Sequence, residues 1–112
     1  MDLFIELRNK QDELRETIKA MKSWGQKKAQ AEETYKIALR QEVLKERDKG
    51  TAIGVITLIV YGEQNVAKLR LDRDIAETMY EACQEQINAI KLEIRVLENQ
   101  INREYGYEGK QL

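Results

Sequence analysis

The chain contains no proline and no histidine, one cysteine, and only six glycines among its 112 residues. Each scarcity excludes something. Without proline, nothing forces a helix to kink or stop, and glycine this thin leaves few places for a tight turn. Without histidine, the usual zinc ligand sets cannot be assembled, and the side chain that most readily moves protons near neutral pH is missing. A single cysteine, Cys83, rules out an intrachain disulfide, and its expected role is that of a small apolar side chain inside the fold. Acidic and basic residues number 20 and 19, a formal net charge of −1, so no global field draws the chain to nucleic acid or a membrane surface. Any anion site must be local. The apolar run Ile53 to Tyr61 is too short to span a bilayer, and Met1 to Leu7 is too short and too acidic for a secretion signal. A cytoplasmic protein with no membrane partner is the expectation.

What the chain does contain is helix-forming material. It is 42% hydrophobic and 35% charged, and its size fits one small domain with little substance for a thick core. Abundant Glu, Lys, Gln, Arg and Ala predict an all-α fold. The stretch from Asn65 to Tyr105 organises the rest. Arg73, Tyr80, Ile87, Ile94 and Ile101 recur every seven positions, and Leu69, Ala76, Cys83, Ile90 and Leu97 form a second column offset by three or four. Columns so spaced line one edge of a helix. Neither glycine nor proline interrupts Glu63 to Tyr105, so the helix should run about 60 Å at a rise of about 1.5 Å per residue. A rod of that kind cannot bury its own seam, so a second helix, from this chain or a copy of it, must cover it. Further apolar residues off the main seam, Val66, Ile75, Met79, Ala82, Leu92 and Val96, widen the stripe beyond the needs of one partner helix. A homo-oligomeric bundle is the economical expectation.

Upstream, residues 2–48 predict a first long helix with Asp2 as N-cap and an apolar stripe of Leu3, Phe4, Leu7, Leu14, Ile18 and Met21. Past Trp24 and Gly25 the stripe thins to Ala29, Ala31, Tyr35, Ala38, Leu39, Val43 and Leu44. Gly25 either sits inside a continuous helix, at about 1 kcal/mol, or marks a kink; continuity is favoured. The basic residues from Lys45 to Lys49 lead into Gly50, which suits a left-handed helix terminus, with Thr51 placed to cap the next element. The β-branched run 52–61 suits either a buried strand or a short apolar helix. A lone strand has no partner for its backbone, so the helix is favoured. The third helix should span 64–105, and residues 106–112 should fray. The expected architecture is therefore an elongated antiparallel helical hairpin of long helix, short apolar helix and long helix, assembling into a coiled-coil-like bundle.

Two clusters are candidates for binding. In the first, Trp24 stands beside Lys27 and Lys28. An indole next to two ammonium groups can stack on a base or a partner side chain while the lysines hold a phosphate; the plainer role is an aromatic filling a wide layer of the bundle with the lysines snorkelling around it. The second comprises Tyr61, Lys68, Arg70 and Arg73, near the start of the last helix. Arg73 occupies a seam column, where a guanidinium must find a partner. It can offer a planar fork to a phosphate or carboxylate, or pair with Asp72, Asp74, Glu77 or a carboxylate of the first helix and fix register. Structural pairing is favoured. The remaining charges alternate in sign along helix faces, as in Asp12, Glu13 and Arg15, Glu93 and Arg95, and Glu98 and Arg103, and read as solvated surfaces. No acid–base pair, phosphate-binding glycine loop or calcium loop is present. Neither a cofactor nor a metal is expected, and no catalytic residue is assigned.

The segments Tyr35 to Gly50, Val60-Tyr-Gly-Glu, Val66 to Glu77 and Ile94 to Tyr105 together resemble small, mostly uncharacterised helical proteins encoded by phages and prophages of Gram-positive bacteria. Val66-Ala-Lys-Leu-Arg-Leu-Asp-Arg-Asp-Ile-Ala-Glu is the most distinctive piece. The resemblance implies an accessory phage product in the host cytoplasm, serving either the phage's replication and recombination or its evasion of host defence; it brings no binding residue with it. The expected function is a non-catalytic protein that acts by occupancy. Its partner would be a host defence protein or a small anionic nucleotide. The alternative is an accessory or scaffold factor for DNA transactions, which the balanced charge disfavours.

Overall fold

A computed structural model describes residues 2–106. Three α-helices, α1 (Leu3–Asp48), α2 (Ile53–Tyr61) and α3 (Gln64–Ile101), are followed by a π-helical turn, Asn102–Gly106. The described residues contain no strand, and none of their helices is long and apolar enough to cross a membrane. Residues 107–112, most of the expected tail, lie outside the described residues.

The helix ends follow from local chemistry. Asp2 accepts the Phe4 amide at 2.8 Å and opens α1, which then continues through Gly25 without a break. At its far end the amide of Gly50 donates to Arg47 O and that of Thr51 to Glu46 O, at 3.0 and 3.1 Å. This double closure needs a left-handed residue, and Gly50 supplies it with φ 81°. Thr51 does not cap α2. Its hydroxyl donates instead to Glu46 Oε2 at 2.8 Å, and Ala52 holds the N-cap position with no side-chain bond. The cap before α3 is Glu63, whose carboxylate accepts the amides of Asn65 and Val66 at 3.0 and 2.8 Å. The long helix also ends earlier than its heptads suggest, giving way to the π-helical turn after Ile101.

The chain divides into two units. In the unit Ser23–Tyr80, Tyr35, Ile56, Val60 and Val66 form a buried cluster against which Leu39, Val43 and Leu69 pack. Ile56 and Val60 sit one turn apart on α2, so one edge of that short helix closes the cluster. Val66, expected off the seam, is 0% exposed. It lies seven residues before Arg73 and continues that column backward. Each aliphatic side chain so buried contributes about 1.5–3 kcal/mol.

In the unit formed by Met1–Lys22 and Glu81–Leu112, Cys83, Ile87 and Ile90 are buried. Phe4 packs on Tyr105 with ring centroids 5.4 Å apart, and Lys10 pairs with Glu93, so successive contacts run up α1 and down α3. On α1 the inward residue is Thr17, not Ile18, whose side chain is exposed. The Thr17 hydroxyl can be buried because it donates to Glu13 O at 2.8 Å. Glu93 likewise is no member of a solvated pair with Arg95; it takes the Lys10 ammonium, which also holds Glu13 at 3.2 Å.

Candidate functional site

Arg73 shows what an arginine at a seam position requires. Its Nε and Nη2 donate to Asp74 Oδ1 at 3.0 and 2.9 Å, Glu32 lies 3.5 Å from Nε, and the guanidinium sits 4.6 Å from the Tyr35 ring centre. Its hydrogen bonds to Asp74, and after them the Asp74 and Glu32 charges, hold it more firmly protonated than an ordinary arginine. The Nε–Nη2 edge of the fork is therefore in use inside the unit, and Tyr35, the ring beside the guanidinium, is buried.

The other candidate residues form separate pairs. Lys27 lies 4.3 Å from the Trp24 ring, Lys28 lies 5.1 Å from the Tyr80 ring, and Arg70 lies 5.5 Å from the Tyr61 ring. Gly25 packs against Tyr80, since a Cβ there would meet Tyr80 Cε2 at 3.3 Å. What sequence presents as a helix-weakening residue is thus the notch that admits an aromatic ring. Tyr80 follows Arg70 by ten residues, about 15 Å along a helix. Trp24, Lys27 and Lys28 at the Tyr80 level are accordingly not brought together with Tyr61, Lys68 and Arg70, and Arg73 with Tyr35 stands between them. No single cradle gathers all seven.

The heptad columns of α3 face inward in both units. Ala76, Cys83, Ile87 and Ile90 are buried, and Leu69, Tyr80, Ile94, Leu97 and Ile101 are half-buried. Ile75, Met79, Ala82, Leu92 and Val96 are exposed.

Resolved changes in protonation share one sense. Glu93 and then Glu13 raise the Lys10 ammonium above its usual range, the Thr51 hydroxyl and then Lys49 lower the Glu46 carboxyl, and the Asn65 and Val66 amides lower the Glu63 carboxyl. Each strengthens a charge the group already carries at neutral pH. General acid–base chemistry asks the reverse, a carboxyl pushed up or an amine pushed down. Among the described residues no group of histidine, cysteine, aspartate and glutamate side chains is arranged to hold a metal ion.

Comparison with family models, with curated proteins and with solved structures gives no match for this chain. The site is therefore read from its own surfaces.

Sequence reasoning missed four of these. α2 carries no charge, and beyond Ile56 and Val60 it turns its apolar residues outward: Ile53 is 86% and Leu58 76% exposed, joined by Val55, Ile59 and Tyr61. Beside it, on α1, lies a groove of about 290 Å³ lined by Leu39, Val43 and Leu44 with Lys36, Arg40 and Arg47. A second groove of about 390 Å³ lies between α1 and α2, against Ile53, Ile56 and Thr57, and shares Val43 and Arg47 with the first. The signal was present in the chain: positions 36, 40 and 47 share one side of a helix, and 43 and 44 fall between them. The other unit has an open groove of about 530 Å³ floored by Leu92, Val96 and Leu97, with the paired Lys10 and Glu93 at its side.

Proposed function

We propose that this chain is a non-catalytic, phage-type binding protein that acts by occupancy, most directly by covering the surface of a host defence protein. The observation that carries this reading is the open face of α2, where Ile53 and Leu58 project from a helix without a single charge. Contiguous apolar surface of about 300–600 Å² is the most a typical monomer shows, and such patches are often functional. The one-sided pKa changes and the absence of histidine support binding over catalysis. A protein partner is favoured over an anionic nucleotide because the aromatic and cationic pairs lie at separate levels and Arg73 is already engaged.

The finer architecture belongs to the same proposal. α1 and α3 serve as the arms of an elongated antiparallel hairpin with α2 across its open end, and the exposed Ile75, Met79, Leu92 and Val96 give copies of the chain a surface for a coiled-coil-like bundle. The alternative, an accessory factor for phage replication or recombination, rests on the exposed Lys27, Lys68 and Arg70. It requires DNA affinity that falls steeply with salt and weakens when these residues are removed.

The test is functional. The chain, expressed in Gram-positive hosts carrying defined defence systems, should restore plaque formation in at least one, and Ile53→Glu with Leu58→Glu should abolish the rescue while the helical circular dichroism is unchanged. Rescue undiminished by the double substitution refutes the reading.

A further inference from the structure

The geometry points to the chemistry of the partner: an amphipathic helix whose apolar ridge is flanked by carboxylates, seated in the groove between α1 and α2. This rests on the reading of the chain as a protein-binding module and assigns the segment it grips. The two grooves of Ser23–Tyr80 adjoin and together make a trough, since Val43 and Arg47 line both. Its lining is aliphatic, from Leu39, Val43 and Leu44 on α1 to Ile56 on α2, with the exposed Ile53 at its rim. The charged side chains lining it are Lys36, Arg40 and Arg47, with no acid among the lining residues.

That one-sidedness stands out in a chain of net charge −1. Several bases elsewhere are engaged, Lys10 with Glu13 and Glu93, Arg15 with Asp12, Lys19 with Glu16, Lys45 with Glu42 and Lys49 with Glu46, while Arg8, Lys22, Lys27 and Lys28 of α1 make no ion pair among the described residues. At the trough, Lys36 has Glu32 at 3.4 Å, whereas Arg40 and Arg47 make no ion pair among the described residues. Two unpaired guanidinium groups at the lip of an apolar furrow complement carboxylates beside an apolar stripe. The lip from Lys36 to Arg47 extends about 16 Å along α1, which matches three turns of a docked helix anchored at i, i+3 or i+4, and i+7. A nucleic acid has no use for the aliphatic lining. A lipid surface is flat, and does not fill a furrow.

The full chain is tested with two fluorescently labelled, hydrocarbon-stapled helical peptides that share one leucine ridge, flanked by glutamates in one and lysines in the other. Fluorescence anisotropy should show the glutamate peptide binding about tenfold tighter at low salt, with the preference shrinking as salt rises. Arg40→Glu with Arg47→Glu should reverse the preference, and because neither arginine makes an ion pair among the described residues the circular dichroism should be unchanged. Equal binding of the two peptides overturns the inference, as does a preference that survives the charge reversal. Phosphatidylglycerol vesicles bound in place of the glutamate peptide assign the face to lipid and overturn it. A dimer in sedimentation that Arg40→Glu and Arg47→Glu dissolve assigns the trough to a second copy and also overturns it. Any of these results, obtained while Leu58→Glu, which lies outside the trough, still abolishes plaque rescue, removes the acidic helix and leaves the binding function of α2 standing.

Discussion

Replacing Ile90 by alanine isolates the contribution of the α3 seam. Ile90 is 1% exposed, so the substitution removes three carbons from a filled site. At about 0.8 kcal/mol per buried methylene the transfer loss is about 2.4 kcal/mol, and an unrelaxed cavity raises the total to about 3–4 kcal/mol. Leu92, two residues away, is 59% exposed, and Leu92→Ala should stay within about 0.5 kcal/mol at a dilution that separates copies joined through it. Urea unfolding followed by far-ultraviolet circular dichroism reads both. With a slope of about 1.5 kcal/mol/M, Ile90→Ala should lower the midpoint by about 2 M without changing the slope, and Leu92→Ala should leave it nearly in place. Because Ile90 is covered by its own chain, the difference should persist on dilution, where a seam closed only by other copies would lose stability. Similar losses for the two variants, or a loss below about 1 kcal/mol for Ile90→Ala, would refute the inward assignment of the heptad columns.

Three further outcomes follow from the geometry. Gly25→Ala gains helix propensity worth about 1 kcal/mol but presses on Tyr80 at 3.3 Å; the gain should be larger in a Tyr80→Ala background, as measured by a double-mutant cycle of thermal midpoints. Arg73→Lys keeps the charge yet loses the fork to Asp74 and the stack on Tyr35, so it should cost about 1 kcal/mol in urea unfolding. Glu46 and Glu63 titrate below their ordinary value of 4.5 in the fold, so their stabilisation is complete above pH 4.5 and drains away as the pH falls through their lowered values. The acid limb of the urea midpoint should flatten in Glu63→Gln, and an unchanged limb would show that the cap carries no such linkage.

The helical class was legible because nothing in the chain opposes it, and the inward edge of α3 was legible because Ile87, Ile90 and their neighbours repeat on an unbroken heptad. The facing edge of α1 was legible in part, since Leu7, Leu14, Met21, Tyr35 and Leu39 of its stripe are buried or half-buried. Its inward positions include Thr17, half-buried Lys10 and half-buried Lys28, which a hydrophobicity pattern passes over. They become acceptable only when Glu13 O, Glu93 and the Tyr80 ring are in place to receive them. Arg73 was legible as a residue in need of a partner, since seam position and charge conflict on their face. The trough of Arg40 and Arg47 was missed because it joins two helices, and its lining draws Ile53 and Ile56 from beyond the Gly50 turn.

Cys83 gives this chain an internal stopwatch. It is the sole thiol and is shielded on α3, so a thiol reagent reaches it only during moments when that part of the helix swings clear. The ratio of labelling rates in folded and urea-unfolded protein then measures how often such openings occur, with no introduced probe. A bound partner that tightens this unit should slow the reaction, and one that pries it apart should quicken it.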